Sequence, residues 1–512
     1  MSRLLALAVV AAVTPPFTAP VSAQAIPERP EDLRFRPSVF EPPPVAGLRF
    51  ELGNGVPVYV APDRSLPLVD IVLALPVGDR DESPGEDGRA SMTAAMARRG
   101  GAGEFGPEEL DDEIDALGAR IEASSSWGRT VLVLDSGSES VDQGLELLAS
   151  ILFEPRFDEA RLAQAKENLR ASLSAEADDP RAVLEREWLR LVHGPGSPRS
   201  RRLTDASVEA FDRDALVRFH RRHWGPAGAV IAASGDVDAE ALVARLDELF
   251  GDWEPRLPEA GGEAKRLPQG PPTESAGDAA SAGDGGSAAD SPGWWTIDRP
   301  GTQAALAFGQ RGALFDSWDD PDRWALMLLT EILDGPGAVS RLRSRLQLEE
   351  GLTYRVLTYF DLDVAAAADS DRSHRTGEFR VFLETIPESA TAAAAVVLEE
   401  LRRLLRDEVP ESEIASARRS LLARLPLLFD RPEMIAGRYA EDELLGRPHE
   451  YWSVYRERLV AVTAADILGA ARQFVDTEGS VLLVVGARNA AISGRGSEKL
   501  RDVLGAPRPL KR

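Results

Sequence analysis

The sequence predicts an α+β protein of two homologous halves, each a mostly antiparallel sheet with helices packed on one side. Three observations predict it. Within each half strand-like runs come first and helical periodicity follows, a segregation that favours layered α+β packing over a parallel doubly wound sheet. The segment from Phe157 to Leu173 (FDEARLAQAKENLRASL) has a counterpart from Val409 to Leu425 (VPESEIASARRSLLARL), so one unit occurs twice. Between the copies, residues 256–292 turn to Gly, Ala, Ser, Asp and Pro. That composition buries too little apolar surface to order itself and reads as a flexible linker.

The elements follow in order. Arg3, the ten apolar residues Leu4 to Val13, and the small-residue stretch Val21-Ser22-Ala23-Gln24-Ala25 form a basic start, a short h-region and an A-x-A site. Residues 1–25 are therefore expected to be a secretory signal peptide, since about 20 apolar residues are needed to span a bilayer. Residues 26–46 are rich in proline and read as an extended segment. The first half, 47–255, opens with Leu48–Leu52 and Val56–Ala61 around Gly53-Asn54-Gly55, a hairpin signal. Strand readings follow at Leu68–Val77, Thr130–Leu134 and Ala229–Gly235, with helical periodicity through Leu145, Leu147, Leu148 and Ile151. The second half, 293–490, reads as strands at Trp294-Trp295, Ala304–Phe308, Tyr354–Phe360, Phe379–Leu383 and Val481–Gly486. Residues 491–512 read as a tail.

Composition excludes several function classes. With 84 acidic and 59 basic side chains the chain carries −25, and its pI is near 4.8. Counterion release from a phosphate backbone needs clustered Lys and Arg, so no nucleic-acid partner is expected. The absence of cysteine excludes disulfides, thiol catalysis and cysteine-zinc sites. No later stretch is long and apolar enough for a membrane span, so an exported, soluble protein, periplasmic or secreted, is expected.

Several motifs, weak singly, keep a common order: Leu52-Gly53-Asn54-Gly55-Val56, Leu117-Gly118-Ala119-Arg120-Ile121, and His220-Arg221-Arg222-His223-Trp224 before Gly235-Asp236. Ser340-Arg341-Leu342 running to Gly351-Leu352-Thr353-Tyr354 completes the set. Together they resemble the insulinase-like zinc peptidases, the group of pitrilysin and the mitochondrial processing peptidase subunits, over nearly all of the chain after residue 45. The resemblance implies a clam-like pair of halves. It also implies a helix bearing H-x-x-E-H, whose i, i+3, i+4 spacing puts two zinc-binding histidines and a general-base glutamate on one face, and a later glutamate as third ligand.

Gly88 to Met96 matches that helix, with Ser91 and Ala95 at the ligand positions, Ala94 at the base, and Ala171 near the later glutamate. A methyl group ligates nothing, while alanine favours helix, so the scaffold is expected to survive without its zinc chemistry. The resemblance further implies a pair of chains. A zinc-less chain, itself without cofactor, closes around a peptide substrate beside a zinc-bearing homologue, contributing an arginine and a tyrosine seven residues apart. Tyr354 matches the tyrosine, but Gln347 stands at the arginine position and lacks its charge and fork geometry. Arg341, Arg343 and Arg345 stand upstream as possible compensation, and Tyr354 also fits a packed strand residue. The reading is a non-catalytic, peptide-enclosing subunit. A stand-alone peptide-binding or scaffolding protein and an active metallopeptidase with other ligands are the alternatives. His220 and His223 suggest packing rather than metal, and His193, His374 and His449 are expected at the surface.

Overall fold

The structure is a computed structural model; it describes residues 40–254, 292–313, 315–336, 340–364 and 376–510. The signal-peptide and linker readings and His374 lie outside the described residues.

In the first half β1 (Arg49–Glu51) and β2 (Pro57–Pro62) form the expected hairpin, joined by β3 (Leu68–Leu75), β4 (Arg120–Ser126), β5 (Arg129–Gly137) and β6 (Val230–Gly235). The sheet order is β1-β2-β6-β3-β5-β4, antiparallel except for the β2–β6 pair. Burial alternates along β5, where Thr130, Leu132, Leu134 and Ser136 point inward. β2 and β6 sit mid-sheet and are buried along nearly their whole length.

The second half repeats the plan with β7 (Gly293–Asp298), β8 (Ala304–Ala313), β9 (Arg355–Phe360), β10 (Thr376–Thr385), β11 (Val481–Gly486) and β12 (Arg508–Pro509). Its order, β12-β7-β11-β8-β10-β9, repeats the first sheet over five strands, with β12 taking the edge place of β1. The stretch read as a tail supplies the sixth strand: β12 pairs parallel with β7, and the helix Ser497–Leu504 buries Leu500 and Leu504.

Each sheet also receives a helix from the other half. The helix Pro180–His193 buries Val183, Leu184 and Trp188 against Ile297, Ala307, Phe382 and Leu483 of the second sheet. In return the helix Pro432–Leu445 lies on the first sheet, where Tyr439 stacks on Tyr59 and Glu443 accepts a hydrogen bond from the Tyr59 hydroxyl. Helical periodicity shows that a helix has an apolar face, not which sheet that face will cover. His193 illustrates the consequence. It is buried rather than at the surface, with Nε2 3.6 Å from the Glu378 carboxylate.

Candidate functional site

The helix Arg89–Arg99 lies between β3 and β4 in the chain and packs along the edge strand β4. Gly88 starts it at φ 85°, and a Cβ there would come within 2.5 Å of the Leu203 side chain, so glycine is required. The buried carboxylate of Glu82 accepts from the Gly88 and Ala90 N–H groups at 3.0 and 2.7 Å, satisfying donors the helix leaves open. At the other end Arg98 donates to the Ile121 carbonyl at 2.7 Å and pairs with Asp111 at 2.6 Å.

Ala90, Met92, Ala94 and Met96 of this helix enter the core. Ser91, Ala95 and Arg99, four apart in turn, line a cavity of about 730 Å³. Its opposite wall is the helix Glu159–Glu176, which presents Ala165, Asn168, Leu169 and Ser172. Ala171 does not line the cavity; it is exposed. It stands one residue, or 100° of helix, from Ser172, so the position facing Ser91 and Ala95 is Asn168 or Ser172. Ala94 likewise does not reach the cavity; it is fully buried.

Trp127, from the two-residue turn joining β4 to β5, and Arg199 complete the rim. Arg199 lies over the Trp127 ring and donates to Asp361 of the second half at 3.0 Å, so the cavity mouth adjoins the end of β9. Ser91 Oγ contacts Asp79 Oδ1 and the Ser125 carbonyl, each at 3.4 Å. Burial pushes the Asp79 carboxyl up, with the Ser91 hydroxyl opposing. Burial, opposed by the two helix N–H groups and reinforced by Asp79 and Asp87, pushes Glu82 up to about 7. Among the described residues no three His, Cys, Asp or Glu side chains gather as metal ligands.

Tyr354 is 96% exposed and precedes β9, so it does not pack on the sheet. Gln347 Nε2 donates to the Tyr354 carbonyl. Each of the upstream arginines sits in an ion pair. Arg341 is held by Glu413 at 2.7 Å, Arg343 by Asp334 at 3.2 Å and Arg345 by Glu400 at 2.8 Å. His220 is buried with Nε2 2.8 Å from the Leu152 carbonyl, and His223 packs on Phe219. His449, 3.4 Å from Glu443, joins the Tyr59 junction between the halves. The β4 edge, Trp127, and the Asp79 and Glu82 pair escaped the sequence reading. Alternation in Arg120-Ile121-Glu122 was the available signal for β4; nothing in the sequence marks the cavity.

Comparison with known proteins places this geometry. Residues 59–190 match the family described as insulinase (peptidase family M16), and residues 210–421 match the family's second domain, described as the peptidase M16 inactive domain. The chain belongs to the insulinase, or M16, peptidase family. Its relatives include an uncharacterized zinc protease of Rickettsia bellii, 23% identical over 86% of this chain and 97% of that one. A probable mitochondrial processing peptidase subunit beta of Arabidopsis thaliana is 24% identical over 75% of this chain and 68% of that one. The solved M16 inactive-domain structure from Pseudomonas fluorescens aligns with TM-score 0.69 at 21% identity, over 86% of this chain and 97% of that one. The periplasmic protease PqqL of Escherichia coli aligns with TM-score 0.65 at 14% identity, over 92% of this chain and 49% of that one. These likenesses carry the two-domain α+β fold. No helix among the described residues is long and apolar enough to cross a membrane.

Proposed function

We propose that this M16 member is an exported, non-catalytic subunit that binds peptide beside a zinc-bearing homologue and has no zinc of its own. One observation carries the reading: the cavity-facing positions of the motif helix are Ser91 and Ala95, opposite Asn168, Leu169 and Ser172. A catalytic zinc needs three nitrogen, oxygen or sulfur ligands from the protein; alanine offers none, and a neutral hydroxyl or amide is no replacement for histidine and carboxylate. The residues present do not fit the ion, and Ala94 supplies no base.

Peptide binding itself needs no metal. β4 is an edge strand, and the turn pairing Ser126 with Arg129 leaves the main chain of Ile121, Ala123 and Ser125 directed away from β5. Arg98 and Ser91 occupy the carbonyls of Ile121 and Ser125, and among the described residues no side chain hydrogen-bonds the Ala123 main chain. An extended peptide can add there as a further strand. Tyr354, exposed ahead of β9, is available to a bound chain or a partner. The engagement of Arg341, Arg343 and Arg345 by carboxylates favours one second reading, a peptide-binding protein without a peptidase partner, because the position seven residues before Tyr354 carries Gln347 and these three guanidiniums are held elsewhere.

The test is hydrolysis of quenched fluorescent peptides by the chain alone, by its zinc-bearing homologue alone, and by the mixture, with and without chelator. Turnover in the mixture above the homologue's own, abolished by chelator, is expected. Chelator-sensitive turnover by this chain alone overturns the proposal, and no gain in the mixture moves it to the stand-alone reading.

A further inference from the structure

We propose that the three arginines gathered around Glu187 form a binding site for a phosphate group. The inference goes beyond the peptide-binding reading and does not depend on it. It starts from a local reversal of charge. From Pro180 to Arg202 the sequence carries six arginines and two glutamates, a net +4 in a chain of −25.

Arg186 and Arg190 stand one turn apart on the helix Pro180–His193, and Arg202 follows the short turn Pro198–Ser200. All three reach one carboxylate. Arg186 Nε and Arg202 Nη2 lie 3.4 and 2.8 Å from Glu187 Oε1, and Arg190 Nε lies 3.4 Å from Oε2. The Glu187 side chain is 3% exposed, whereas the three arginines are 31, 36 and 28% exposed in chain order, so the cluster opens to water. Among the described residues no other carboxylate pairs with any of the three. The nearby Arg199 and Arg201 are taken up by Asp361 and by the Glu82 carbonyl. Two positive charges are thus left over once Glu187 is counted. A buried carboxylate needs a partner, and Arg202, the nearest, supplies it. The other two guanidiniums add only mutual repulsion unless a second anion joins them.

The donors identify the anion. Arg186 and Arg190 approach Glu187 through Nε, which leaves their Nη groups for another acceptor. Guanidinium forks bind phosphate oxygens in pairs, with a geometry that an ammonium cannot match. A phosphate monoester carries about −1.5 to −2 near neutral pH, close to the charge left over, whereas a carboxylate brings only half of it. The ligand class is therefore a phosphate, carried by a soluble ion or by a lipid headgroup.

The test is calorimetric titration of the whole chain with inorganic phosphate and, as a charge control, acetate. Phosphate is expected to bind about ten-fold or more tightly than acetate, and more weakly as salt is raised. The double variant Arg186→Gln with Arg190→Gln removes the surplus charge but leaves Arg202 on Glu187. Its thermal unfolding should stay near that of the parent while its phosphate affinity falls about ten-fold or more. Arg190→Gln alone, at the most exposed of the three, keeps the test open should the double variant unfold, and should also weaken phosphate. Glu187→Gln gives up the competing carboxylate and should bind phosphate more tightly than the parent. Cosedimentation with vesicles of phosphatidylcholine, alone or with an equal share of phosphatidic acid, separates the sources. Capture by the phosphatidic acid vesicles only, lost in the double variant, supports the site with a headgroup as its ligand. Calorimetric binding without capture supports it with a soluble phosphate. Phosphate binding no tighter than acetate, or unchanged in folded arginine variants, overturns the site and leaves the arginines as a cage for Glu187.

Discussion

Trp188 offers a direct measure of how strongly the halves are joined. It belongs to the first half, yet it is fully buried against the second sheet, and its Nε1 donates to Glu378 Oε2 at 2.8 Å. Truncation to alanine removes a large buried aromatic, which costs about 3–5 kcal/mol, and strips a donor from a buried carboxylate, about 1.5–3 kcal/mol. Glu378 keeps His193 at 3.6 Å and Arg380 at 3.7 Å, so the two losses overlap. Trp188→Ala should therefore cost about 4–6 kcal/mol, and Trp188→Phe, which keeps most of the ring burial, about 1.5–3 kcal/mol. Urea unfolding followed by far-ultraviolet circular dichroism reads both. Equal losses for the two variants would show that the hydrogen bond rather than the burial holds the helix. A loss below about 1 kcal/mol for Trp188→Ala would refute the seating of this helix on the second sheet. Burial raises the Glu378 carboxyl, but the His193 contact, the Arg380 charge and the Trp188 donor outweigh it and leave it below the usual range. Its contribution is present above the ordinary carboxylate pKa and lost as pH falls through the lowered one.

Glu82 behaves in the opposite sense. With its carboxyl at about 7 in the fold, its stabilisation is full below the unfolded value and is lost as pH rises toward 7. The stability difference between Glu82→Gln and the parent should thus shift in favour of the variant, by on the order of 3 kcal/mol, from pH 4.5 to 8; a pH-independent difference contradicts the assignment. Ser91→His with Ala95→His, combined with either Asn168→Glu or Ser172→Glu, should retain zinc through gel filtration in at least one combination, measured by atomic absorption; retention by neither would show that these positions do not converge. Arg345→Met breaks the pair with Glu400, whose side chain is 3% exposed, and should cost about 2–3 kcal/mol in urea, below the ~3–5 of a fully buried pair because Arg345 is partly exposed. Tyr354→Ala should leave stability within about 0.5 kcal/mol but lower peptide affinity; unchanged affinity removes Tyr354 from the binding surface.

The legible part of this fold was the part set by local pattern. Thr130–Leu134 of β5 and most of β2 and β6 are runs of β-branched and apolar residues, and Gly53-Asn54-Gly55 marks its own hairpin, so these strands could be read directly. The duplicated helices at 159–176 and 411–424 revealed the two halves for the same reason. What escaped depends on partners distant in sequence. The alternating arginines at 341, 343 and 345 stand in the sequence as possible compensation for the arginine missing at Gln347, yet Arg341 and Arg345 meet carboxylates 72 and 55 residues away. Ala171 is exposed one residue from the cavity-lining Ser172: spacing along the chain does not fix helical phase, and one residue turns a side chain out of the cavity.

Helical phase bears on how the site could change at all. The Arg89–Arg99 helix is held by Glu82 at its start, by Arg98 on the Ile121 carbonyl near its end, and by Ala90, Met92, Ala94 and Met96 in the core. None of these anchors faces the cavity through Ser91 or Ala95. The residues at the ligand positions and those that hold the helix are thus different sets, although Glu82 and Met92 also line the cavity, so exchanging the first set leaves the second intact. Alanine at 95 even improves helix propensity relative to histidine, by about 0.5 kcal/mol. A scaffold organised this way has no energetic need of the metal. Ser91 and Ala95 can therefore change without loosening the helix.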